Sequence, residues 1–167
     1  MIQRTDMEKF VLIFSDSHGR SYALLETVER IRERLHPDMI LFLGDGEGDL
    51  HMLDRNCGLD VIAVRGNCDF FSDGPAERML DINGRKILMM HGHTQGVKSG
   101  TGNLEAYAAK RGADAVLYGH THERDEHTFV YGDKTVTVFN PGAVYNGSFG
   151  TLTVRDDGTM LFGYGEI

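Results

Sequence analysis

The chain is poor in cysteine and proline. Two cysteines, Cys57 and Cys68, stand in 167 residues, which is too few for a disulfide framework and is typical of a reducing compartment. Three prolines beside 21 glycines exclude a Pro-rich linker and predict many tight turns. No apolar run approaches the roughly 20 residues that a membrane span needs, and residues 1–9 lack a signal-peptide core. We therefore expect a cytoplasmic protein that does not enter membranes.

Positive charge is also scarce, because 17 Lys and Arg stand against 25 Asp and Glu for a formal net charge of −8. Broad nucleic-acid binding depends on basic surface, so this balance argues against it. A phosphate-bearing substrate is still compatible, since bound cations can reverse the local field. The chain length suits one core, and we expect a single domain over residues 9–167 behind a loose arm over residues 1–8. A homo-oligomer is left open.

Short apolar runs recur along the first two thirds of the chain. They are short and rich in branched and aromatic residues, and glycine follows four of the five within two residues, which predicts buried strands rather than helices. The runs are Phe10–Phe14, Met39–Leu43, Val61–Val64, Ile87–Met90 and Ala115–Tyr118. Further strands separated by turn signals are predicted at Thr128–Tyr131, Thr135–Phe139, Thr151–Arg155 and Met160–Tyr164.

Helical patterns lie between these strands. Ser21 is placed to cap a helix that runs through Leu35 with an apolar stripe on one face, and Pro37 ends it. A shorter helix is predicted from Asn103 to Gly112, and residues 49–56 are a third candidate. Strand–helix alternation followed by hairpins favours an α/β (α+β) sandwich with mixed sheets.

Metal-binding residue types follow the five apolar runs. Binding sites in α/β sheets form outside the carboxyl ends of strands, so we expect these residues to meet. They are Asp16, Asp45, Asn67, His91 and His120. His18 and His122 follow two of them at i+2, which puts each pair on one face of an extended segment. Imidazole and carboxylate donors suit first-row divalent ions, and seven donors suit two ions that share a ligand.

The motifs around these residues closely resemble those of the calcineurin-like metallophosphoesterases, in particular the small bacterial and archaeal phosphodiesterases without accessory domains. The motifs are SDSH at Ser15–His18, LGD at Leu43–Asp45, RGNCD at Arg65–Asp69, HGH at His91–His93, YGHTHER at Tyr118–Arg124 and FNPGA at Phe139–Ala143. Their occurrence in order makes the signal specific. The resemblance implies a four-layer sandwich of two mixed β-sheets flanked by helices, with the metal site at the carboxyl ends of strands.

The resemblance also divides the ligands between two metal ions. One ion would be held by Asp16, His18, Asp45 and His122, and the other by Asp45, Asn67, His91 and His120, so that Asp45 bridges the pair. Manganese is the first expectation, with nickel, iron, cobalt or zinc as alternatives. A hydroxide that bridges the two ions would attack the phosphorus of a phosphate ester.

Residues that contact the substrate are expected close to the metals. The resemblance suggests Arg65, Asn67, Cys68, His93 and Arg124 for this role. Many family members carry a His where this chain has Cys68, and a thiol is a poorer proton donor near neutral pH. We therefore expect either a substrate with a good leaving group or a substitute general acid, for which His93 is the candidate.

Other aromatic and histidine side chains are assigned plainer roles. Phe70 and Phe71, directly after the RGNCD motif, are assigned to core packing ahead of a pocket wall. His36, His51 and His127 lack a partner pattern, so surface or loop positions are expected for each.

The first functional expectation is a metal-dependent phosphodiesterase acting on a small organic phosphodiester, because the chain has no residues for a cap domain. A phosphomonoesterase acting on nucleotides or phosphoproteins is an alternative, since the same metals could serve it. A non-catalytic scaffold similar to the small retromer subunit is another. This chain keeps every expected metal ligand, which favours an enzyme, but has Cys68 in place of the catalytic His.

Overall fold

The computed structural model describes residues 7–167, apart from the side chains of residues 54 and 56. Ten strands form two five-stranded sheets. The first sheet contains β1 (Lys9–Phe14), β2 (Met39–Phe42), β3 (Asp60–Ala63), β9 (Ser148–Val154) and β10 (Met160–Glu166). The second contains β4 (Glu77–Ile82), β5 (Arg85–Met90), β6 (Ala115–Leu117), β7 (Arg124–Tyr131) and β8 (Lys134–Pro141). The helices are α1 (Ser21–Arg32), α2 (His51–Asn56) and α3 (Gly102–Lys110).

Both sheets are mixed. The order of the first sheet is β10-β9-β1-β2-β3, with β1, β2 and β3 parallel and β9 and β10 antiparallel to their neighbours. The order of the second is β4-β5-β6-β8-β7, with a parallel centre and antiparallel β4 and β7 at its edges. Parallel strands bring their carboxyl ends to one edge of a sheet, so the loops after β1, β2, β5 and β6 can share one site.

Apolar side chains form three buried layers, one between the two sheets and one between each sheet and its helices. The layer between the two sheets includes Ile13 and Leu117, which are fully buried. Leu24 of α1 and Leu53 of α2 pack on the outer face of the first sheet, and Leu104 of α3 packs on that of the second. Strands buried on both faces explain the continuous apolar runs in the sequence. This helix–sheet–sheet–helix order confirms the predicted four-layer sandwich.

One strand was missed from the sequence. β4 lies at a sheet edge, where its residues are exposed or half-buried up to the buried Ile82, and it carries no clear apolar run. A signal was present in the turn that follows, because Asn83 and Gly84 form an Asn-Gly pair with φ values of 49° and 83°. Left-handed values at both positions are what a two-residue hairpin turn requires.

The predicted end of the first helix was wrong. α1 stops at Arg32, and Leu35 is 51% exposed instead of lying on the apolar stripe. Asp38 explains the early end, since its backbone N–H donates to the carbonyl of Phe10 and its carboxylate accepts from the N–H of Phe10. The chain must turn early to reach this sheet register. Ser21 is the first helical residue, and no side chain caps the helix.

Within residues 7–167, no helix combines the length and the apolar content that crossing a membrane requires. A loose arm is predicted for residues 1–8, and residues 1–6 of it lie outside the described residues. The arm and the domain limits therefore stay predictions.

Candidate metal centre

Five of the seven predicted ligands have left-handed backbones. Their φ values are 54° for Asp16, 43° for His18, 61° for Asp45, 69° for His120 and 63° for His122. Of the other non-glycine residues between 7 and 167, Asn83 alone shares this region. Such conformations cost on the order of 1–3 kcal/mol each and concentrate at functional sites. The i, i+2 pairs therefore converge through left-handed turns, and the explanation by an extended segment was wrong.

A first donor group consists of Asp16, His18 and His122. The Nε2 atom of His122 lies 3.1 Å from Oδ1 of Asp16 and 3.3 Å from Nε2 of His18. The Nε2 atom of His18 lies 3.6 Å from the same Asp16 oxygen. All three donor atoms lie within 4.8 Å of one another, so one cation could contact all of them.

A second donor group consists of Asp45, His91 and His120. The Nε2 atom of His91 lies 3.2 Å from Oδ2 of Asp45 and 3.2 Å from Nδ1 of His120. The same Oδ2 atom lies 3.9 Å from Nε2 of His18, so Asp45 lies beside both groups. This position is the one that a ligand shared by two ions would need.

The chemistry of the donors fits metal ions. The Nδ1 atom of His91 lies 2.7 Å from the carbonyl oxygen of Leu43 and donates its hydrogen there, so Nε2 is the atom that a cation in the second donor group would contact in place of a proton. Ring nitrogens of His91 and His120 face each other, as do those of His18 and His122. Two facing lone pairs repel unless a proton or a cation lies between them. A divalent cation in each group would satisfy both pairs.

Burial and neighbouring charges act differently on the residues of the second donor group, and they move the pKa values of its two histidines in opposite directions. Burial opposes ionisation of Asp45, but hydrogen bonds from His91 and from the backbone N–H of Cys68 outweigh it and lower the pKa of Asp45. Burial also opposes protonation of His91, yet the hydrogen bond to Asp45 and the charge of Asp16 raise the pKa of His91. Burial and the charge of His91 lower the pKa of His120, which keeps it a neutral imidazole, the form that binds metals.

Asp69 holds two ligand loops together, a role the sequence did not indicate. Its carboxylate accepts hydrogen bonds from the backbone N–H groups of Asp45 at 2.8 Å, Gly46 at 2.9 Å, Glu47 at 3.0 Å and Gly66 at 2.7 Å. Charge-assisted bonds of this kind are roughly twice as strong as neutral ones. The carboxylate therefore fixes the loop of Asp45 against the RGNCD loop. The sequence feature that could have indicated this role is the position of Asp69 as the last residue of the RGNCD motif.

Close packing around the carboxylate ligands explains two glycines. A Cβ atom at Gly119 would contact Oγ of Ser15 and lie 2.7 Å from Oδ2 of Asp16. That Oδ2 atom already accepts from Ser15 Oγ at 2.5 Å and from the N–H of His120 at 3.0 Å. A Cβ atom at Gly66 would contact Oδ1 of Asp45 and lie 2.5 Å from its backbone nitrogen. Both glycines make room for a neighbouring ligand.

The RGNCD loop places three further predicted residues. Asn67 is exposed, and its Nδ2 donates to Sγ of Cys68 at 3.5 Å. The Sγ atom of Cys68 lies within 4.8 Å of donor atoms of His18 and Asp45. Burial and the negative charge of Asp45 raise the pKa of the Cys68 thiol, so it stays neutral and is a poor nucleophile. Arg65 donates to the carbonyl of Gly74 at 3.0 Å.

His93 borders the second donor group. Its ring centroid lies 5.4 Å from that of His91 and 6.0 Å from that of His120. Its Nδ1 atom is buried and has no hydrogen-bond partner among residues 7–167. Burial and the charge of His91 lower the pKa of His93. The ring is therefore close to the donors with a free polar atom.

Arg124 is held by other strands. Its Nε donates to Oγ of Ser148 at 2.7 Å, its Nη2 donates to the carbonyl of Gly165 at 3.0 Å, and its guanidinium lies 4.7 Å from the ring centroid of Tyr164. These contacts tie β7 to β9 and β10. The structure gives Arg124 a packing role, and its contact with substrate stays a prediction.

For two groups of residues outside the metal ligands, the structure differs from the role expected from the sequence. Phe70 and Phe71 are 82% and 100% exposed, so their assignment to core packing was wrong. His127 has partners that the sequence did not indicate, because its Nδ1 lies 2.8 Å from Oδ1 of Asp125 and its Nε2 lies 2.8 Å from Oε1 of Glu105.

The fold and the donors together define an α/β sandwich protein with a His- and Asp-rich candidate metal centre. The family model described as the calcineurin-like phosphoesterase superfamily domain matches residues 10–156. The chain therefore belongs to this superfamily, which confirms the family that its motifs indicate.

Known relatives agree with this membership. The probable metallophosphoesterase YsnB of Bacillus subtilis is 32% identical over 163 residues, which cover 93% of this chain and 90% of the relative. A solved structure described as a novel archaeal phosphodiesterase has 21% identity and a TM-score of 0.69, and covers 93% of this chain and 99% of its own. Vps29 from Entamoeba histolytica complexed with zinc has 22% identity and a TM-score of 0.69, with 94% and 98% covered. At these identities the two structures establish the fold alone.

Proposed function

We propose that this protein is a metal-dependent phosphodiesterase that hydrolyses small organic phosphodiesters with two divalent cations, manganese first among them. Support comes from the convergence of six His and Asp donors into two groups with Asp45 beside both. Bound cations would supply Lewis acidity to the phosphoryl oxygens and a nucleophile from water at neutral pH. Asn67 is the proposed additional ligand of the second donor group.

The remaining residues have proposed roles in orienting the groups that react. Leu43 fixes the tautomer of His91, and Asp69 fixes the loop that carries Asp45. His93 is the proposed proton donor to the leaving oxygen, because its ring borders the second donor group. Its lowered pKa makes the protonated form a stronger but less populated acid. Cys68 lies beside the donors as a neutral thiol.

A diester substrate is favoured over a monoester by charge. A diester phosphate carries one negative charge and a monoester close to two, and this chain has a net charge of −8. The fold shared with a protein described as an archaeal phosphodiesterase supports the same choice. We also propose that the protein acts in a reducing cytoplasm, since Cys57 and Cys68 are both free thiols.

A non-catalytic scaffold is the second candidate function. Vps29 shares the fold, and Cys68 occupies the place where many superfamily members carry a catalytic His. The complete set of His and Asp donors favours the enzyme. The two candidates differ in whether bound metal leads to turnover.

An assay on two substrates tests the proposal. Full-length protein loaded with Mn²⁺ is expected to hydrolyse bis(p-nitrophenyl) phosphate faster than p-nitrophenyl phosphate. A preference for the monoester would replace the phosphodiesterase with a phosphomonoesterase. Folded protein that turns over neither substrate with Mn²⁺, Ni²⁺, Fe²⁺, Co²⁺ or Zn²⁺ would support the scaffold.

The bridging role of Asp45 has its own test. Asp45→Asn is expected to lower metal affinity by more than about 100-fold, beyond the effect typical of residues that only support a ligand. Asp133→Asn makes the same chemical change in the exposed turn between β7 and β8 and is expected to keep wild-type metal content. Metal content by mass spectrometry and activity are compared in both. Full activity of Asp45→Asn would refute the bridging role.

A further inference from the structure

Phe70 and Phe71 are the two most exposed large apolar side chains between residues 7 and 167. They line a cleft of about 540 Å³, here called the Phe cleft. Its other lining residues are Glu47, Gly48, Cys68, Asp69 and Ser72. Cys68 also lies within 4.8 Å of donor atoms of His18 and Asp45. Cys68 therefore borders both the Phe cleft and the candidate metal centre.

The backbone that carries the two phenyl rings is held on both sides. Asp69 precedes them and binds four backbone N–H groups through its carboxylate. Ser72 follows them, donates its N–H to the carbonyl of Asp69 at 3.1 Å and accepts from the N–H of Gly74 through Oγ at 2.9 Å. The rings are thus presented by a fixed turn. A preformed surface loses little conformational entropy when a ligand binds.

The wall of the cleft restricts the chemistry of its ligand. Glu47 lines the cleft and contributes a carboxylate, of which the Oε2 atom is buried and has no hydrogen-bond partner among residues 7–167. A carboxylate disfavours a second anionic group and accepts from an N–H donor. Two phenyl rings favour a flat aromatic ring, which stacks on them. A neutral heteroaromatic ring with an amino group meets both conditions.

Resting on the proposed phosphodiesterase function, we propose that the Phe cleft binds the amino-bearing nucleobase of a nucleoside arm of the diester, stacked on Phe70 or Phe71 with its amino group toward Glu47. The scissile phosphate then lies at the metal centre that Cys68 adjoins. The cleft selects a small nucleotide diester over an alkyl diester of the same charge.

Two substrates with one leaving group test this selection. The p-nitrophenyl ester of adenosine 5′-monophosphate and methyl p-nitrophenyl phosphate both release p-nitrophenolate. The ratio of their kcat/KM values therefore measures the preference for adenosine over methyl as the second ester group. We expect the ratio to exceed about tenfold, the size that stacking one base typically supplies. The double variant Phe70→Ala/Phe71→Ala is expected to bring it near one, and Phe70→Trp/Phe71→Trp to retain it. Val130→Ala/Tyr131→Ala removes exposed apolar groups from β7 and is expected to leave the ratio unchanged.

A binding measurement on the full chain separates this inference from catalysis. Adenosine carries no phosphate, and purine riboside differs from it by the missing amino group. Ligand-detected NMR is expected to show adenosine binding about fivefold tighter, as one hydrogen bond supplies. Glu47→Leu is expected to remove that difference, and the double alanine variant to remove binding of both nucleosides.

The outcomes distinguish the two proposals. Turnover of both esters with a ratio near one, together with no adenosine binding, overturns the nucleobase site and leaves the phosphodiesterase standing. No turnover of either ester with adenosine binding intact overturns the phosphodiesterase and keeps the nucleobase site. A dimer that sedimentation detects in the wild type and not in the double alanine variant, with an unchanged ratio, makes the Phe cleft a protein interface and overturns the proposal.

Discussion

His91 donates from Nδ1 to the carbonyl oxygen of Leu43 at 2.7 Å, which joins the two sheets at the candidate metal centre. Leu43 follows β2 of the first sheet, and His91 follows β5 of the second. The bond leaves Nε2 of His91 facing Oδ2 of Asp45 at 3.2 Å. This contact thus links the two sheets and orients the ring of a candidate ligand. Substitutions can test whether groups that position a ligand in this way are needed for metal binding.

Asp69→Asn replaces one carboxylate oxygen with an amide N–H₂ that faces backbone donors. At least two of the four N–H groups then lose their acceptor, so we expect the free energy of unfolding to fall by about 2–4 kcal/mol. Metal affinity is expected to fall by about 10–100-fold because the Asp45 loop loses its support. Urea unfolding and metal titration measure the two effects, with Asp133→Asn as the control. Wild-type affinity in Asp69→Asn would show that the loop does not need this carboxylate.

Gly66→Ala tests the close approach of the backbone to Asp45. The new Cβ atom would lie 2.5 Å from the backbone nitrogen of Asp45, which cannot move without displacing the ligand. We expect a loss of about 1–3 kcal/mol in stability and of most metal-dependent activity.

Gly102→Ala is the matched control for this change. Gly102 begins α3, and a Cβ atom there meets nothing within 4 Å. Alanine is favourable in a helix, so stability is expected to stay equal or rise by up to about 1 kcal/mol. Thermal unfolding and the rate on bis(p-nitrophenyl) phosphate are measured for both variants. Equal behaviour of the two variants would rule out the steric explanation.

Cys68→His is expected to help substrates with poor leaving groups. The thiol is neutral because burial and the charge of Asp45 raise the pKa of Cys68, whereas an imidazole titrates near neutral pH. We expect a gain of about tenfold or more on diesters with an alkyl leaving group and little change on p-nitrophenyl esters. The rates of a leaving-group series measure this, with Cys68→Ser as a control that adds no proton donor of suitable pKa. An equal gain on every ester would point to a cause other than proton donation.

His127→Gln is expected to change how stability depends on pH. Burial opposes protonation, but hydrogen bonds to Asp125 and Glu105 more than offset it and raise the pKa of His127 above that of the unfolded chain, roughly 6.5. The folded state therefore binds the proton more tightly. The resulting stabilisation is complete below about pH 6.5 and is lost as pH rises through the raised folded-state pKa.

The variant should therefore lose more stability at pH 6 than at pH 9. The difference is expected to be about 1 kcal/mol or less, because the His127 side chain is 34% exposed and its ion pairs are screened. Urea unfolding at both pH values measures it. His51→Gln, at an exposed position on α2, is the control with no such difference. A loss in His127→Gln that is the same at both pH values would contradict the assignment.

Much of the fold was predictable because the strands are short and buried on both faces. Continuous apolar runs such as Phe10–Phe14 are too short for a buried helix and are rich in branched and aromatic residues, so they favour strands. The edge strand Glu77–Ile82 lacks such a run, and its only clear signal was the turn at Asn83 and Gly84. Edge positions leave a weak apolar pattern, which is why this strand was missed.

Which donor types follow which strands can be read from the chain alone, because donor chemistry belongs to the residue and the strand pattern is local. How those donors meet depends on contacts between distant parts of the chain. The left-handed backbone of His18 and the acceptor role of Asp69 depend on neighbours from other loops. The bond between Leu43 and His91 spans 48 positions and forms only when the two sheets pack. Local sequence preference acts over a few residues, whereas distances between donors are set by packing across the whole core.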